Sequence, residues 1–188
     1  AIAGHRAPAQ SREFWGQMLK ALFKSRKQAT QPGASIPAGM RVYAIGDVHG
    51  RLDLLKALLG PVIAADRHRE PADTQTIPLG DLVDRGPESA GVVETLRLLS
   101  QSGLNIRCIA GNHEEVMLDT LINPTAEMAR FFYRIGGRET LLSYGLSEEE
   151  MDRLDYGQLA ERMVELVPPE HVEFLSAMEN CIVIGDYA

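Results

Sequence analysis

Three short polar clusters in this 188-residue sequence hold residue types that do chemistry together: Gly46-Asp47-Val48-His49-Gly50, Gly80-Asp81-Leu82-Val83-Asp84-Arg85-Gly86 and Gly111-Asn112-His113-Glu114. Asp47, Asp81 and Asn112 offer oxygen and His49 offers an imidazole nitrogen, a donor set that suits manganese, iron or zinc better than calcium. Asp47 and His49 stand two apart in a turn, so both can reach one ion. Two divalent metals about 3.5–4 Å apart can clamp an in-line phosphoryl displacement and acidify a bridging water. Such a pair needs a shared carboxylate, and Asp81, in the middle cluster, is the natural candidate. The glycines allow tight turns and close approach of backbone to the ions.

Each cluster alone is a weak signal, because Gly-Asp after a strand is usually a turn and Asn-His usually a capped loop end. The elements around them change the weight. Val42-Tyr43-Ala44-Ile45 reads as a short apolar strand, followed by a helix through Leu52, Leu55, Leu58 and Leu59 that Gly60-Pro61 should stop. A second strand is expected over 74–79 and a helix over 88–99, then a third strand over 105–110 and a helix over 114–121. This alternation implies parallel crossovers with helices covering the sheet, an α/β fold. Every cluster then follows the carboxyl end of its own strand, and all three converge on one crevice.

The later region reads differently. Ser147 with Glu150 has the form of a capping box opening a helix to about Val167, which Pro168-Pro169 break. A short helix over 170–178 follows, and then a strand, Cys181-Ile182-Val183-Ile184. Phe131-Phe132-Tyr133 suits core packing or an apolar wall beside substrate. His68 is expected on a solvated loop and His171 in a helix, neither in the site.

Composition bounds the rest. An apolar content of 45% can build a substantial core for one domain. The net charge of −7 is uneven: residues 1–40 hold six basic side chains against Glu13, a sum of +5, which leaves −12 for the remainder. An acidic body argues against nucleic acid as a partner. Phe14, Trp15, Met18, Leu19, Leu22 and Phe23 recur at helical spacing beside Lys20, Lys24, Arg26 and Lys27. Residues 12–27 therefore suit an amphipathic helix touching a membrane surface or a partner, or packing on its own domain. The organisation expected is a basic appendage and linker over 1–40 and a catalytic domain over 41–188. Cys108 and Cys181 both lie in apolar runs and read as buried, reduced thiols. No 18-residue apolar run or signal-peptide core is seen, and the cytoplasm is the default location.

The three clusters resemble the G-D-x-H-G, G-D-x-x-D-R-G and G-N-H-E signatures of the calcineurin-like metallophosphoesterases, in their phosphoprotein phosphatase group. Gly136-Gly137, Thr140-Leu141, Ser143-Tyr144-Gly145 and Pro168-Pro169-Glu170 resemble its bacterial Ser/Thr protein phosphatase members. The resemblance implies a sandwich of two mixed sheets flanked by helices and two divalent metals, manganese first, with iron or zinc as alternatives. Asp47, His49 and Asp81 would hold the first metal, and Asp81 and Asn112 would contribute to the second. A metal-bound hydroxide would attack in line, His113 would be the general acid, Asp84 would orient it and favour its imidazolium, and Arg85 would grip the phosphate. Rival roles exist for these side chains: an Asp84–Arg85 surface pair, and His113 as a helix cap.

The family also places two later His ligands, in G-H and H-A-G segments, and another phosphate-binding Arg, and nothing after Asn112 here matches them. The expectation is therefore the N-terminal portion of the fold, with a complete first metal site and an incomplete second, binding at most one metal tightly and turning over weakly as an isolated chain. The implied activity is phosphoester hydrolysis, on a phosphorylated protein or a small phosphoester. Protein Ser/Thr phosphatase is the leading reading, symmetrical dinucleoside tetraphosphate hydrolysis the alternative, and a non-catalytic metal-, phosphate- or partner-binding module the alternative of another class.

Overall fold

The computed structural model describes residues 33–188, and the compact unit discussed below is Ile36–Ala188. The amphipathic segment 12–27 lies outside the described residues. Strands β1 (Met40–Ile45) and β2 (Asp73–Pro78) pair in parallel, in register from Met40 opposite Asp73 to Ile45 opposite Pro78. A parallel pair requires a long crossover, and helix α1 (Leu52–Arg67) provides it, burying Leu52, Leu55 and Leu59. The third strand expected over 105–110 is present as a ladder fragment beside β2. Thr76 N–H donates to Asn105 O at 3.0 Å, Arg107 N–H to Thr76 O at 3.1 Å and Ile109 N–H to Pro78 O at 2.9 Å. Its far side pairs in parallel with Glu179, whose N–H donates to Cys108 O and whose carbonyl accepts from Ala110 N–H, both at 2.9 Å.

The remaining described elements are helical: α2 (Ser89–Gln101), α3 (Asn112–Ile122), α4 (Ala126–Phe132), a π-helical turn (Tyr133–Gly137), α5 (Arg138–Ser143), α6 (Glu148–Arg153), α7 (Tyr156–Leu166) and α8 (Pro169–Ser176). Their apolar faces, among them Val92, Val93 and Leu96 of α2, Met117 of α3, Phe132 of α4 and Met163 of α7, close one core with α1. Each such side chain removed from water contributes about 1.5–3 kcal/mol. A smaller cluster of Ile77, Ile182 and Ile184 covers the other face of the sheet. The α/β class is as expected, with one parallel sheet and no second sheet among the described residues.

Four local expectations are corrected. Helix α1 does not stop at Gly60-Pro61 but runs through Pro61 to Arg67. Its last turns are tied down, because Asp66 pairs with Arg41 and accepts from Thr74 Oγ1 at 2.9 Å, while Ile63 packs on the core. The helix expected from Ser147 to Val167 is two helices. The Ser147–Glu150 capping box forms, but Asp155 opens a second one: its Oδ1 accepts from Gln158 N–H at 2.9 Å and its own N–H donates to Gln158 Oε1 at 3.0 Å. The segment 181–184 is not a strand; Ile184 and Tyr187 instead close a tight turn on each other through Gly185, at φ 60°. Cys181 is exposed rather than buried, while burial pushes the Cys108 thiol up to about 12; neither forms a disulfide. Among the described residues no helix is long and apolar enough to cross a membrane.

An interior proline removes one helix bond and crowds the preceding turn, costing as much as about 3 kcal/mol relative to alanine. Pro61→Ala should therefore raise the urea midpoint of the chain, and an unchanged or lower midpoint would show that α1 is relieved of that strain in place.

Candidate metal and phosphate site

The first two motifs are plugged into the core by the residues between their functional groups. Val48, Leu82 and Val83 are all buried, the last two completely, so Asp47, His49, Asp81, Asp84 and Arg85 alternate with apolar anchors. The loops are then stitched together: Val48 and His49 N–H donate to Asp81 O at 3.0 and 2.8 Å, and Gly50 N–H to Leu82 O at 2.8 Å. Glu114 completes the join. Its buried carboxylate accepts from Asp81 N–H at 2.8 Å and Gly111 N–H at 2.9 Å on Oε2, and from Leu82 N–H at 2.8 Å and Val83 N–H at 3.1 Å on Oε1. Burial pushes this carboxyl above its ordinary pKa, and the backbone N–H donors pull the other way. The sequence shows Glu114 inside the third cluster but gives no hint of this task, which exists only once the two loops meet.

Backbone strain gathers at the same place. His49, Asp81, Asp84 and Arg85 are the described non-glycine residues with positive φ, at 43°, 49°, 70° and 67°. Such residues cost of order 1–3 kcal/mol each and persist only where their surroundings over-determine them. Close packing of the loops adds a second restriction: a Cβ on Gly111 would collide with the backbone nitrogen and side chain of Asp81.

The structure brings His49, Asp81 and His113 together, one nitrogen or oxygen of each lying within 4.8 Å of the others. His49 Nε2 stands 3.9 Å from a carboxylate oxygen of both Asp47 and Asp81. The other nitrogen, Nδ1, is 2.9 Å from Val83 O, and since a carbonyl only accepts, Nδ1 carries the hydrogen. In the neutral ring Nε2 then carries the free lone pair, and it is buried with no hydrogen-bond partner. A buried nitrogen with an open lone pair, flanked by carboxylates and fixed in tautomer by its second nitrogen, fits a cation. Asp47 is largely exposed, and Asn112 is the exposed first residue of α3.

Asp84 and His113 form a second pair beneath the first. His113 Nδ1 lies 2.7 Å from Asp84 Oδ2, with both side chains removed from solvent. The Arg85 guanidinium, made only of donors, meets His113 Nε2 at 2.9 Å, so Nε2 accepts and Nδ1–H donates to Asp84. The surface pairing of Arg85 with Asp84 does not occur; Arg85 reaches His113 instead. Nor does His113 act as a helix cap, since both ring nitrogens are engaged elsewhere. Burial raises the pKa of Asp84, against bonds from Thr140 and His113 that favour its ionised form.

His68 and His171, expected outside the site, are placed outside it. Arg51 is exposed and bonded to Asp53, and His68 is exposed at the end of α1. His171 is buried between Tyr144 Oη at 3.0 Å and Glu94 at 3.1 Å, a packing role. Phe132 is in the core while Phe131 is exposed.

Glu114→Gln would replace two acceptor oxygens by one and turn an NH2 group toward backbone N–H donors. The substitution should cost about 1–3 kcal/mol for the donors left unsatisfied, read as a lower denaturant midpoint, and an unchanged midpoint would show that the loops hold without it.

Residues 40–175 match the calcineurin-like phosphoesterase family. A symmetrical bis(5'-nucleosyl)-tetraphosphatase of Ectopseudomonas mendocina (strain ymp) is 34% identical over 142 residues, covering 70% of this chain and 46% of that protein. The corresponding protein of Pseudomonas syringae pv. syringae (strain B728a) is 41% identical over 75 residues, 40% of this chain and 23% of its own length. The chain thus spans less than half the length of these relatives. Among solved structures, a metallophosphoesterase from Sphaerobacter thermophilus is similar at 25% identity with a TM-score of 0.43, over 78% of this chain and 44% of that one. The family match takes in all three motifs and most of the helical half, and the chain belongs to the calcineurin-like phosphoesterase family.

Proposed function

We propose that the chain carries the metal-binding and phosphate-gripping part of a phosphoester hydrolase whose substrate is a dinucleoside tetraphosphate. His49 carries the hydrolase reading, as a buried imidazole whose unpartnered Nε2 faces Asp47 and Asp81. Asp47, His49 and Asp81 would hold one divalent ion, and Asp81 with Asn112 would contribute to a second; the mixture of nitrogen and oxygen donors suits manganese, iron or zinc. Bound ions of this kind supply Lewis-acid charge to phosphoryl oxygens and lower the pKa of water.

The chain's own residues supply positioning and protons. Arg85 is exposed and beside the donor cluster, and its planar fork matches phosphate oxygens. When Arg85 turns to a phosphate it leaves His113 Nε2, which is then free to take up a proton from solvent and pass it to the departing oxygen. Asp84 keeps Nδ1–H directed inward throughout, so that proton is not the one transferred. The acidic body expected to exclude nucleic acid does not exclude a small anionic substrate once cations occupy the site. We place this activity in the cytoplasm.

The relatives' names favour the tetraphosphate over a phosphoprotein; protein Ser/Thr phosphatase, the first expectation, becomes the second reading. Titration calorimetry of the purified chain with Mn2+ should show binding that His49→Ala weakens by tenfold or more, by analogy with the 10–100-fold losses typical around metal sites. Absence of uptake by the unsubstituted chain would end the hydrolase reading. Symmetrical cleavage of diadenosine tetraphosphate gives ADP alone, so chromatography of the products, with a phosphoserine peptide in a parallel assay, separates the substrates. Faster release of phosphate from the peptide would reverse the assignment.

A further inference from the structure

We infer that Thr140, on α5 and outside all three motifs, is a positioning residue that holds Asp84 in the orientation His113 requires. Thr140 is completely buried, as are Asp84 and Ser89. Its hydroxyl approaches Asp84 twice, 2.7 Å from Oδ1 and 2.9 Å from the backbone nitrogen, which also meets Ser89 Oγ at 3.0 Å. Hydrogen counting fixes the direction of each bond. Asp84 N–H can only donate, so Thr140 Oγ1 and Ser89 Oγ accept from it. Thr140 has a single hydroxyl hydrogen, and the carboxylate at 2.7 Å is a stronger acceptor than the Ser89 hydroxyl at 3.0 Å, so that hydrogen goes to Asp84 Oδ1. Ser89 then donates to Thr140. Each carboxylate oxygen of Asp84 has one donor, Thr140 on Oδ1 and His113 on Oδ2.

The need for such a hold comes from strain. Asp84 and Arg85 are consecutive residues at φ 70° and 67°, a conformation neither prefers. Their N–H groups are taken by acceptors from the helical segment: Thr140 and Ser89 for Asp84, and Gly136 O for Arg85 at 2.9 Å. Without the Thr140 hydroxyl, Oδ1 is a buried oxygen with no donor, and the carboxylate gains by rotating toward any other hydrogen, away from His113. The γ-methyl limits Thr140 to few rotamers, so the hydroxyl is aimed before it bonds.

The inference rests on the proposed roles of Asp84 and His113, but its test does not need hydrolysis. In 15N–1H spectra of the metal-free chain, the buried His113 Nδ1–H should give a protected downfield resonance, assigned by its absence in His113→Gln. Thr140→Val, which keeps the shape and removes the hydroxyl, should lose that resonance while the backbone spectrum stays folded; Thr140→Ser should keep it. Should Thr140→Val not fold, Thr140→Ala carries the same expectation. An unaltered resonance in the variant lacking the hydroxyl, or its loss in Thr140→Ser, would overturn the inference. Failure of the chain to bind metal or cleave any phosphoester would count against the proposed function and leave this result standing.

Discussion

One carboxylate organises the site. Glu114 collects four backbone N–H groups, three from successive residues of the second motif and one from the turn that opens α3. A loop that makes so sharp a path leaves its donors facing inward, and buried donors without acceptors cost more than most side-chain contacts return. The charge on Glu114 is therefore kept inside the protein by the loop, and the loop keeps its shape through the charge. The burial of Leu82 and Val83 and the placement of Asp81 follow from that mutual dependence.

Strain and satisfaction are matched along this loop. Four of the described non-glycine residues sit at positive φ, all of them within the first two motifs. Isolated, such a loop would relax, but every N–H from Asp81 to Gly86 has an acceptor: Glu114 for the first three, Ser89 and Thr140 for Asp84, Gly136 for Arg85 and the carbonyl of Asp84 for Gly86. The acceptors come from α2, α3 and the segment around α5, so the helices that close the core also fix the site.

Much of this was legible in the sequence, and the failures have specific causes. Asp47, His49 and Asp81 announce themselves as candidate ligands because a metal selects certain residue types, and each stands in the turn after a strand. Asp84, Arg85 and His113 were named through the family resemblance, which also gave the Asp84–His113 contact but not the one between Arg85 and His113. Glu114 and Thr140 stand in segments singled out from the sequence, but their tasks were out of reach because each acts on a loop distant in sequence. Helix α1 passed through Gly60-Pro61 because tertiary anchors at Ile63 and Asp66 outweighed a local stop signal. The break before Asp155 was missed because its capping box resembles ordinary polar spacing inside a helix. Cys181 opens an apolar run yet is exposed, since that run ends in an isolated turn where a strand was expected.

The bond from Arg85 N–H to Gly136 O involves no side chain on either partner. A Cβ at position 136 would press on Arg85, so that residue is confined to glycine, whereas the exposed side chain at 85 could be exchanged without disturbing the bond. The corner is thus held through the main chain alone, whereas the bond to His113 Nε2 depends on the Arg85 guanidinium. A substitution at 136 would distort the path of the second motif, while one at 85 would change what meets His113 and leave that path in place.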